Sequence, residues 1–371
     1  MNKDIKEKIF FITGGGTGGH IYPAIAVINE LKDNFNIKCE NIFYIGNKKN
    51  LEYNIVTNNG IQFLSTNVIG MPRKISFKLV LCLYNLFTSI IKAIYYVLKY
   101  KPDVIFATGG YVCAPILFAA KIFKVPYVLH DSDCSPGIVT RSFANKAEGI
   151  NLAFDNAKKY IKNDNLYFYN NPVRNAFFNK TKEEARSILN IKDEFLILVM
   201  GGSQGAKSIN KASKKLIETF KDKKDIKIIV QTGKKNYEEY VKGLNIPDNT
   251  KIEPYFEDMS IPILASDLIV SRAGSISISE ILSSKNPSIL IPYPYAAGDH
   301  QRINARAIVE KNAAEYLEDS EAEEKLTKIV SEIMENKEKY NELKRNAEIL
   351  GENYKHSTRK ITELVLSSLK E

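Results

Sequence analysis

The sequence predicts an α/β protein built as two similar halves facing a shared cleft, and three observations carry that prediction. A glycine-rich turn follows an apolar run twice, once in residues 8–20 (KIFFITGGGTGGH) and once in residues 195–206 (FLILVMGGSQGA). The two turns begin at Gly14 and Gly201, about half a chain apart in 371 residues. Around them, short apolar runs alternate with amphipathic stretches, the pattern of parallel strands with helices on both faces.

In the first half the runs at 9–13, 41–45, 104–107, 127–130 and 149–152 read as strands. Each is a short apolar run, the form taken by a strand covered on both faces. Between the first two, residues 23–31 have helical periodicity. In the second half the strands fall at 196–200, 227–231, 268–271 and 288–291, with helical patterns at 208–220, 276–284 and 301–311. The boundary is placed at Tyr169-Asn-Asn-Pro-Val-Arg174, where Pro172 forbids a continuing ladder or helix. This gives an N-terminal domain at 1–171 and a C-terminal domain at 172–353. The helical segment 354–371 is free to pack on either, and is expected back on the first.

The composition, 44% hydrophobic and 26% charged, is that of a folded soluble chain with room for two cores. The net charge of +9 comes from scattered lysines and is joined to no nucleic-acid recognition motif, so no nucleic acid is expected. Cys39, Cys82, Cys113 and Cys134 form no CxxC pair and read as free thiols, not zinc ligands. The first apolar run leads into a glycine loop and not a cleavage site, so it reads as a strand. No uncharged apolar stretch reaches 18 residues, and no transmembrane helix is predicted.

Glycine loops between a strand and a helix let backbone N–H groups and a helix N-terminus face an anion. The first, Gly14-Gly15-Gly16-Thr17-Gly18-Gly19-His20, lacks the lysine of a Walker loop, and no acidic residue ends the second strand to hold a nicotinamide cofactor's ribose. His20 falls in the first turn of the following helix, a suitable place for a general base. In the second loop, Ser203 can donate to a phosphate. Residues 267–280 (DLIVSRAGSISISE) place small residues at a helix start and Glu280 within its first turns, able to take two ribose hydroxyls. Gln301 and Asn304 lie one turn apart on one helix face and can read sugar hydroxyls. His130-Asp131-Ser132-Asp133 contains a DxD, but twin glycine loops offer a metal-free way to hold a diphosphate, so no metal and no other cofactor is expected.

Residues 70–100 interleave lysines (Lys74, Lys78, Lys92, Lys99) and aromatics (Phe77, Tyr84, Phe87, Tyr95, Tyr96) with Leu and Ile. The longest uncharged run, 79–91, is too short to span a bilayer. The segment suits a surface resting on an anionic membrane, or a buried helix pair.

Together these motifs resemble the MurG family, UDP-N-acetylglucosamine transferases of peptidoglycan synthesis. The matches are GGTGGH at 15–20, GGY at 109–111, NPVR at 171–174, GGSQGA at 201–206, a serine-rich segment ending in Glu at 273–280, and DxQxxNA at 299–305. They run in order over nearly the whole chain. The resemblance implies two Rossmann-like domains of GT-B architecture and an inverting transfer. N-acetylglucosamine moves from UDP to the C4 hydroxyl of undecaprenyl-diphospho-MurNAc-pentapeptide, at the cytoplasmic face of the membrane. It implies donor contacts from Thr17, Gly18, Gly19, Arg174 and Ser203, backbone of Phe256 on uracil, Ser275, Ile276 and Glu280 on diphosphate and ribose, and Gln301 on the sugar. His20 is the expected base, with Asp131 the alternative. Many members have HEQN at 130–133, so Asp131 and Asp133 depart from the pattern. Competing readings are a UDP-N-acetylglucosamine epimerase, a glycolipid-forming transferase and a non-catalytic sugar-nucleotide binder.

Overall fold

The computed structural model describes residues 4–70, 77–202 and 205–369. Lys74 and Ser203 lie outside them, as does the side chain of Phe77. The chain divides into two compact units: Met1–Pro172 with His356–Glu371, and Val173–Lys355.

The first unit holds a parallel sheet of β1 (Phe10–Thr13), β2 (Ile42–Asn47), β3 (Gln62–Thr66), β4 (Val104–Ala107), β5 (Tyr127–Asp131), β6 (Gly149–Leu152) and β7 (Leu166–Tyr167). Their spatial order is β3-β2-β1-β4-β5-β6-β7. Its helices are α1 (Gly18–Asp33), α2 (Leu51–Asn58), α3 (Phe77–Tyr100), α4 (Ala114–Phe123) and α5 (Ile138–Phe143). The second unit holds β8 (Phe195–Met200), β9 (Ile226–Gln231), β10 (Thr250–Glu253), β11 (Leu268–Ser271), β12 (Ser288–Leu290) and β13 (Ala314–Tyr316), in the order β10-β9-β8-β11-β12-β13. Its helices are α6 (Lys182–Ile188), α7 (Lys207–Phe220), α8 (Tyr237–Val241), α9 (Ser260–Ala265), α10 (Ser275–Ser283), α11 (His300–Val309), α12 (Ala322–Glu335) and α13 (Lys337–Gly351). A last helix, α14 (Ser357–Ser367), returns to the first unit.

The central strands are apolar on both faces because both faces are covered. Successive residues alternate between two cores. Phe11, Phe43, Ile45 and Ile105 face one; Phe10, Ile12, Ile42, Tyr44 and Phe106 face the other. Ile361, Leu364 and Val365 of α14 complete the second of these cores. In the other unit Ile197, Val199, Ile228, Val230, Leu268 and Val270 share a single core with α7 and α12.

Among the described residues of segment 70–100 there is one helix and not a helix pair. α3 runs unbroken for 24 residues through Lys92. One side, with Cys82, Ser89, Ala93 and Val97, is buried. The opposite side leaves Val80, Leu81, Leu83, Tyr84, Phe87, Ile91, Tyr95 and Leu98 exposed, and the adjoining α4 exposes Phe118, Ile122 and Phe123. By length and composition Lys78–Tyr100 meets the requirement for crossing a membrane, with a mean hydropathy of 1.5. Lys92 interrupts the uncharged run in the sequence but not the helix.

Candidate functional site

In each sheet the strand order reverses beside the first strand, between β1 and β4 and between β8 and β11. The carboxyl ends of such neighbours open a crevice where parallel α/β sheets bind ligands. The glycine loops leave β1 and β8. The loops at 108–111 and 272–274 leave β4 and β11. All the sequence motifs except those of α11, Phe256 and the 169–174 linker thus sit at strand ends on or next to these two points.

In the first unit the loops after β1 and β4 build a seat for His20. Gly15 N–H donates to Gly109 O (3.4 Å), and the Tyr44 hydroxyl donates to Gly14 O (2.6 Å). Thr108 Oγ1 donates to His20 O (2.5 Å), and His20 Nδ1 lies 3.0 Å from Thr108 O. A carbonyl only accepts, so Nδ1 carries a proton, and in the neutral ring the lone pair is on Nε2. The ring rests on bare backbone: a Cβ on Gly109 would lie 2.9 Å from Nδ1, and one on Gly110 3.3 Å from Cδ2. Both glycines have positive φ, 99° and 85°. This is why Gly-Gly precedes Tyr111. Thr17, exposed, is the N-cap of α1 but makes no side-chain cap, and the first turn holds no acidic residue. The Gly18 and Gly19 amides at that end have no intrahelical acceptor.

The loop after β5 joins this seat through Ser132 Oγ, which donates to Gly19 O (3.2 Å). His130 is fully buried. Asn151 Nδ2 donates to its Nδ1 (2.8 Å) and its Nε2 faces Asn171 Oδ1 (3.0 Å), tying β5 to β6 and to the linker. Burial lowers its pKa to about 3, so it stays neutral. Asp131 is also buried and turned inward: Oδ2 accepts from Gly137 N–H (3.0 Å) and Oδ1 from Asp133 N–H (3.3 Å). Burial pushes its carboxyl up to about 6. Asp133 is half-buried beside it.

In the second unit α10 begins at Gly274 without a side-chain cap and without an acidic first turn. Ser275 is buried at its start and Ile276 half-buried. Glu280 Oε1 accepts from both Arg174 Nε (3.1 Å) and Nη2 (2.8 Å). Two residues assigned to different parts of a donor are therefore bonded to each other. Burial raises the Glu280 carboxyl, and the Arg174 guanidinium opposes that rise. Asp258 lies near enough to act on Glu280 and is itself paired with Lys180 (3.4 Å), which brings the Phe256 loop to α10. Phe256 is half-buried, with Lys251 Nζ 5.9 Å from its ring centre. Gln301 Oε1 accepts from Tyr293 N–H (2.9 Å), and its Nε2 lies 4.0 Å from where a Gly274 Cβ would stand. Asn304 is buried, and its Nδ2 donates to Ala273 O (3.4 Å), so it holds the loop after β11. Gly202 and Gly205 have positive φ, and Gln231 Nε2 donates to Gly202 O (3.3 Å). Among the described residues no three His, Cys, Asp or Glu side chains group as metal ligands.

Two features escaped the sequence. Thr108 anchors both ends of His20, and Glu52 is a buried carboxylate beneath the first glycine loop. Neither lies in a motif.

The chain matches the glycosyltransferase family 28 N-terminal domain over residues 10–151 and the C-terminal domain of the same family over 196–363. It is 37% identical, over 90% of its length and 91% of the relative's, to the UDP-N-acetylglucosamine–N-acetylmuramyl-(pentapeptide) pyrophosphoryl-undecaprenol N-acetylglucosamine transferase of Carboxydothermus hydrogenoformans. It is 36% identical to the protein of the same name from Clostridioides difficile, over 81% of this chain and 75% of that one. Among solved structures it resembles MurG of Acinetobacter baumannii (TM-score 0.74, 22% identity, 97% of this chain and 99% of that one). It also resembles UDP-GlcNAc 2-epimerase of Neisseria meningitidis bound to UDP-GlcNAc (TM-score 0.66, 15% identity, 97% and 100%). At those identities the structures establish a shared fold.

Proposed function

Because the chain belongs to glycosyltransferase family 28, among its N-acetylglucosaminyl transferases, we propose that it moves N-acetylglucosamine from UDP to the C4 hydroxyl of a lipid-linked diphospho-MurNAc-pentapeptide. The observation that carries this reading is the 37% identity to a transferase of that name over nine-tenths of both chains. The epimerase shares the fold at 15% identity and no more.

Inversion takes one in-line displacement. The acceptor hydroxyl loses a proton as it attacks the anomeric carbon, and UDP leaves with the bonding pair. His20 Nε2 is the base, since the Thr108 carbonyl fixes the proton on Nδ1. Asp131, the alternative base, has both oxygens taken by backbone N–H groups, and we assign it to holding the loop before α5. In the second unit the uncapped start of α10, with Ser275 and Ile276, receives the diphosphate, joined by Ser203. Glu280 takes the ribose hydroxyls and Arg174 balances the charge that develops on departing UDP. Phe256 backbone reads uracil, and Gln301 the sugar. Asn304 supports this set from behind, through Ala273. In the first unit, we assign the uncapped start of α1 at Thr17, Gly18 and Gly19 and the carboxylate of Asp133 to contacts with sugar and phosphate.

We further assign the exposed face of α3, with its neighbours on α4, to an anionic membrane surface. Its apolar band carries Lys78, Lys92 and Lys99, with Lys121 and Lys124 on and after α4. Apolar side chains enter the headgroup boundary and lysines meet the lipid charge. With the family relationship, this reading puts the protein at the cytoplasmic side as a peripheral one.

The test is incubation with UDP-N-acetylglucosamine and a short-chain lipid-linked acceptor, following UDP release and product mass. Acceptor-dependent UDP release with a disaccharide product is expected. UDP release without acceptor, or appearance of the 2-epimer, would move the assignment to an isomerase.

A further inference from the structure

Glu52 is fully buried at the start of α2, 32 residues from His20 in sequence, and no step above uses it. Its Oε2 accepts from Gly16 N–H (3.3 Å). Its Oε1 accepts from Asn47 N–H (3.1 Å) and from Asn50 Nδ2 (3.1 Å). The carboxylate fits only because two neighbours lack a side chain. A Cβ on Gly15 would lie 2.7 Å from its Cδ, and one on Gly46 2.9 Å from its Cγ. Asn50 Nδ2 also donates to the Tyr111 hydroxyl (3.0 Å), and the Tyr111 ring lies 3.3 Å from where a Gly16 Cβ would stand. Thus part of the first glycine loop's anion-binding capacity is taken by a carboxylate of the chain itself. That carboxylate ties together the loop after β1, the end of β2 and, through Asn50, the turn after β4.

Those are the loops that form the two sides of the His20 seat. We propose that Glu52 is a positioning residue for the transfer: it holds Gly16 and Tyr111 together so that the Gly109–Gly110 backbone and the Thr108 carbonyl keep Nε2 of His20 aimed at the acceptor hydroxyl. The proposal rests on the transferase reading and names a residue that touches neither substrate. Buried acceptors of this kind are costly to disturb, because the donors they serve lose that acceptor in a place where water cannot replace it.

Glu52→Gln is the discriminating change. The amide oxygen can still serve Asn47 and Asn50, but its NH2 then meets the Gly16 N–H, donor against donor. In the full chain we expect kcat to fall at least tenfold while the dissociation constant for UDP rises by clearly less, because loosening residues 14–20 reaches Thr17–Gly19 as well as His20. Hydrogen exchange should quicken in residues 14–20 and 108–113 and nowhere else. Asn50→Ala keeps the Gly16 bond and cuts the link to Tyr111. It should lower kcat several-fold and quicken exchange only in 108–113. Unchanged kcat in Glu52→Gln, an equal loss of UDP affinity, or faster exchange throughout the unit would overturn the proposal. If Glu52→Gln does not fold, Asn50→Ala decides, and unmoved kcat with unmoved exchange at 108–113 overturns it. Should the wild-type protein show no acceptor-dependent transfer, the functional reading falls by itself, and the exchange pattern alone decides whether Glu52 holds this seat.

Discussion

Replacing Gly109 by Ala tests whether bare backbone under His20 sets its position. Two costs are readable from the structure. The residue sits at φ 99°, where a Cβ is strained by about 1–2 kcal/mol. The new methyl would also lie 2.9 Å from Nδ1 and 3.0 Å from Cε1 of a ring whose Nδ1 is already bonded to Thr108. Ordinary carbon contacts need ~3.5 Å or more, so the ring must move by roughly half an ångström, at an overpacking cost of about 1–3 kcal/mol. Gly60→Ala supplies the control. Its φ is 70° and nothing lies within 4 Å of its added Cβ, so it carries the strain without the collision. By thermal unfolding, Gly60→Ala should lower the melting temperature of this unit by about 2–8 °C, and Gly109→Ala by roughly twice as much. In the transfer assay Gly60→Ala should match wild type, while Gly109→Ala loses on the order of 100-fold, the penalty for a misplaced reacting group. If the two variants melt together and both turn over within threefold of wild type, His20 is not held by this backbone.

His20→Ala should lower kcat by roughly 100-fold or more, the usual worth of a general base; turnover within a few-fold of wild type would remove it from that role. Asp131 has a carboxyl raised from 3.8 to about 6 by burial, so the folded protein keeps a proton that the unfolded chain releases. Its contribution to stability is full below about pH 4 and is lost as pH rises through about 6. The melting-temperature difference between Asp131→Asn and wild type should therefore shift in favour of the variant from pH 4 to 7, and a flat difference would refute the burial argument. Phe87 is 63% exposed on α3. Exchanging Phe87 for Ser and Lys92 for Glu should weaken partition into anionic vesicles by about ten- to a hundredfold. Unchanged partition would end the assignment of that face to a lipid surface.

The sequence displayed the centre of both sheets and hid their rims. All nine strands read from apolar runs exist, and the four that were missed, β3, β7, β10 and β13, are the edge strands of the two sheets. Edge strands have one uncovered side, so Gln62-Phe-Leu-Ser-Thr66 or Thr250-Lys-Ile-Glu253 never forms an apolar run. The glycine loops and the starts of α1, α7, α10 and α11 were legible to within a few residues because glycine and small polar residues mark chain reversals. Pairings between distant side chains were not. Nothing near Arg174 announces that it bonds Glu280, 106 residues later. Glu52, in the sequence, is one acidic residue in an ordinary helix start. Only the fold shows that Gly15 and Gly46 lack side chains to make room for it.

The return of α14 has a consequence for how the protein is made. The core containing Phe10 and Ile12 is closed by Ile361, Leu364 and Val365, which leave the ribosome after the whole of the second unit. At about 5–20 residues per second, the first unit waits on the order of ten seconds or more with an apolar groove unfilled. The second unit, continuous in sequence, finishes before it. The part of the chain synthesised first is thus the last to complete its core. A chain truncated after residue 355 would hold a finished second unit and a first unit exposed to chaperones and proteases.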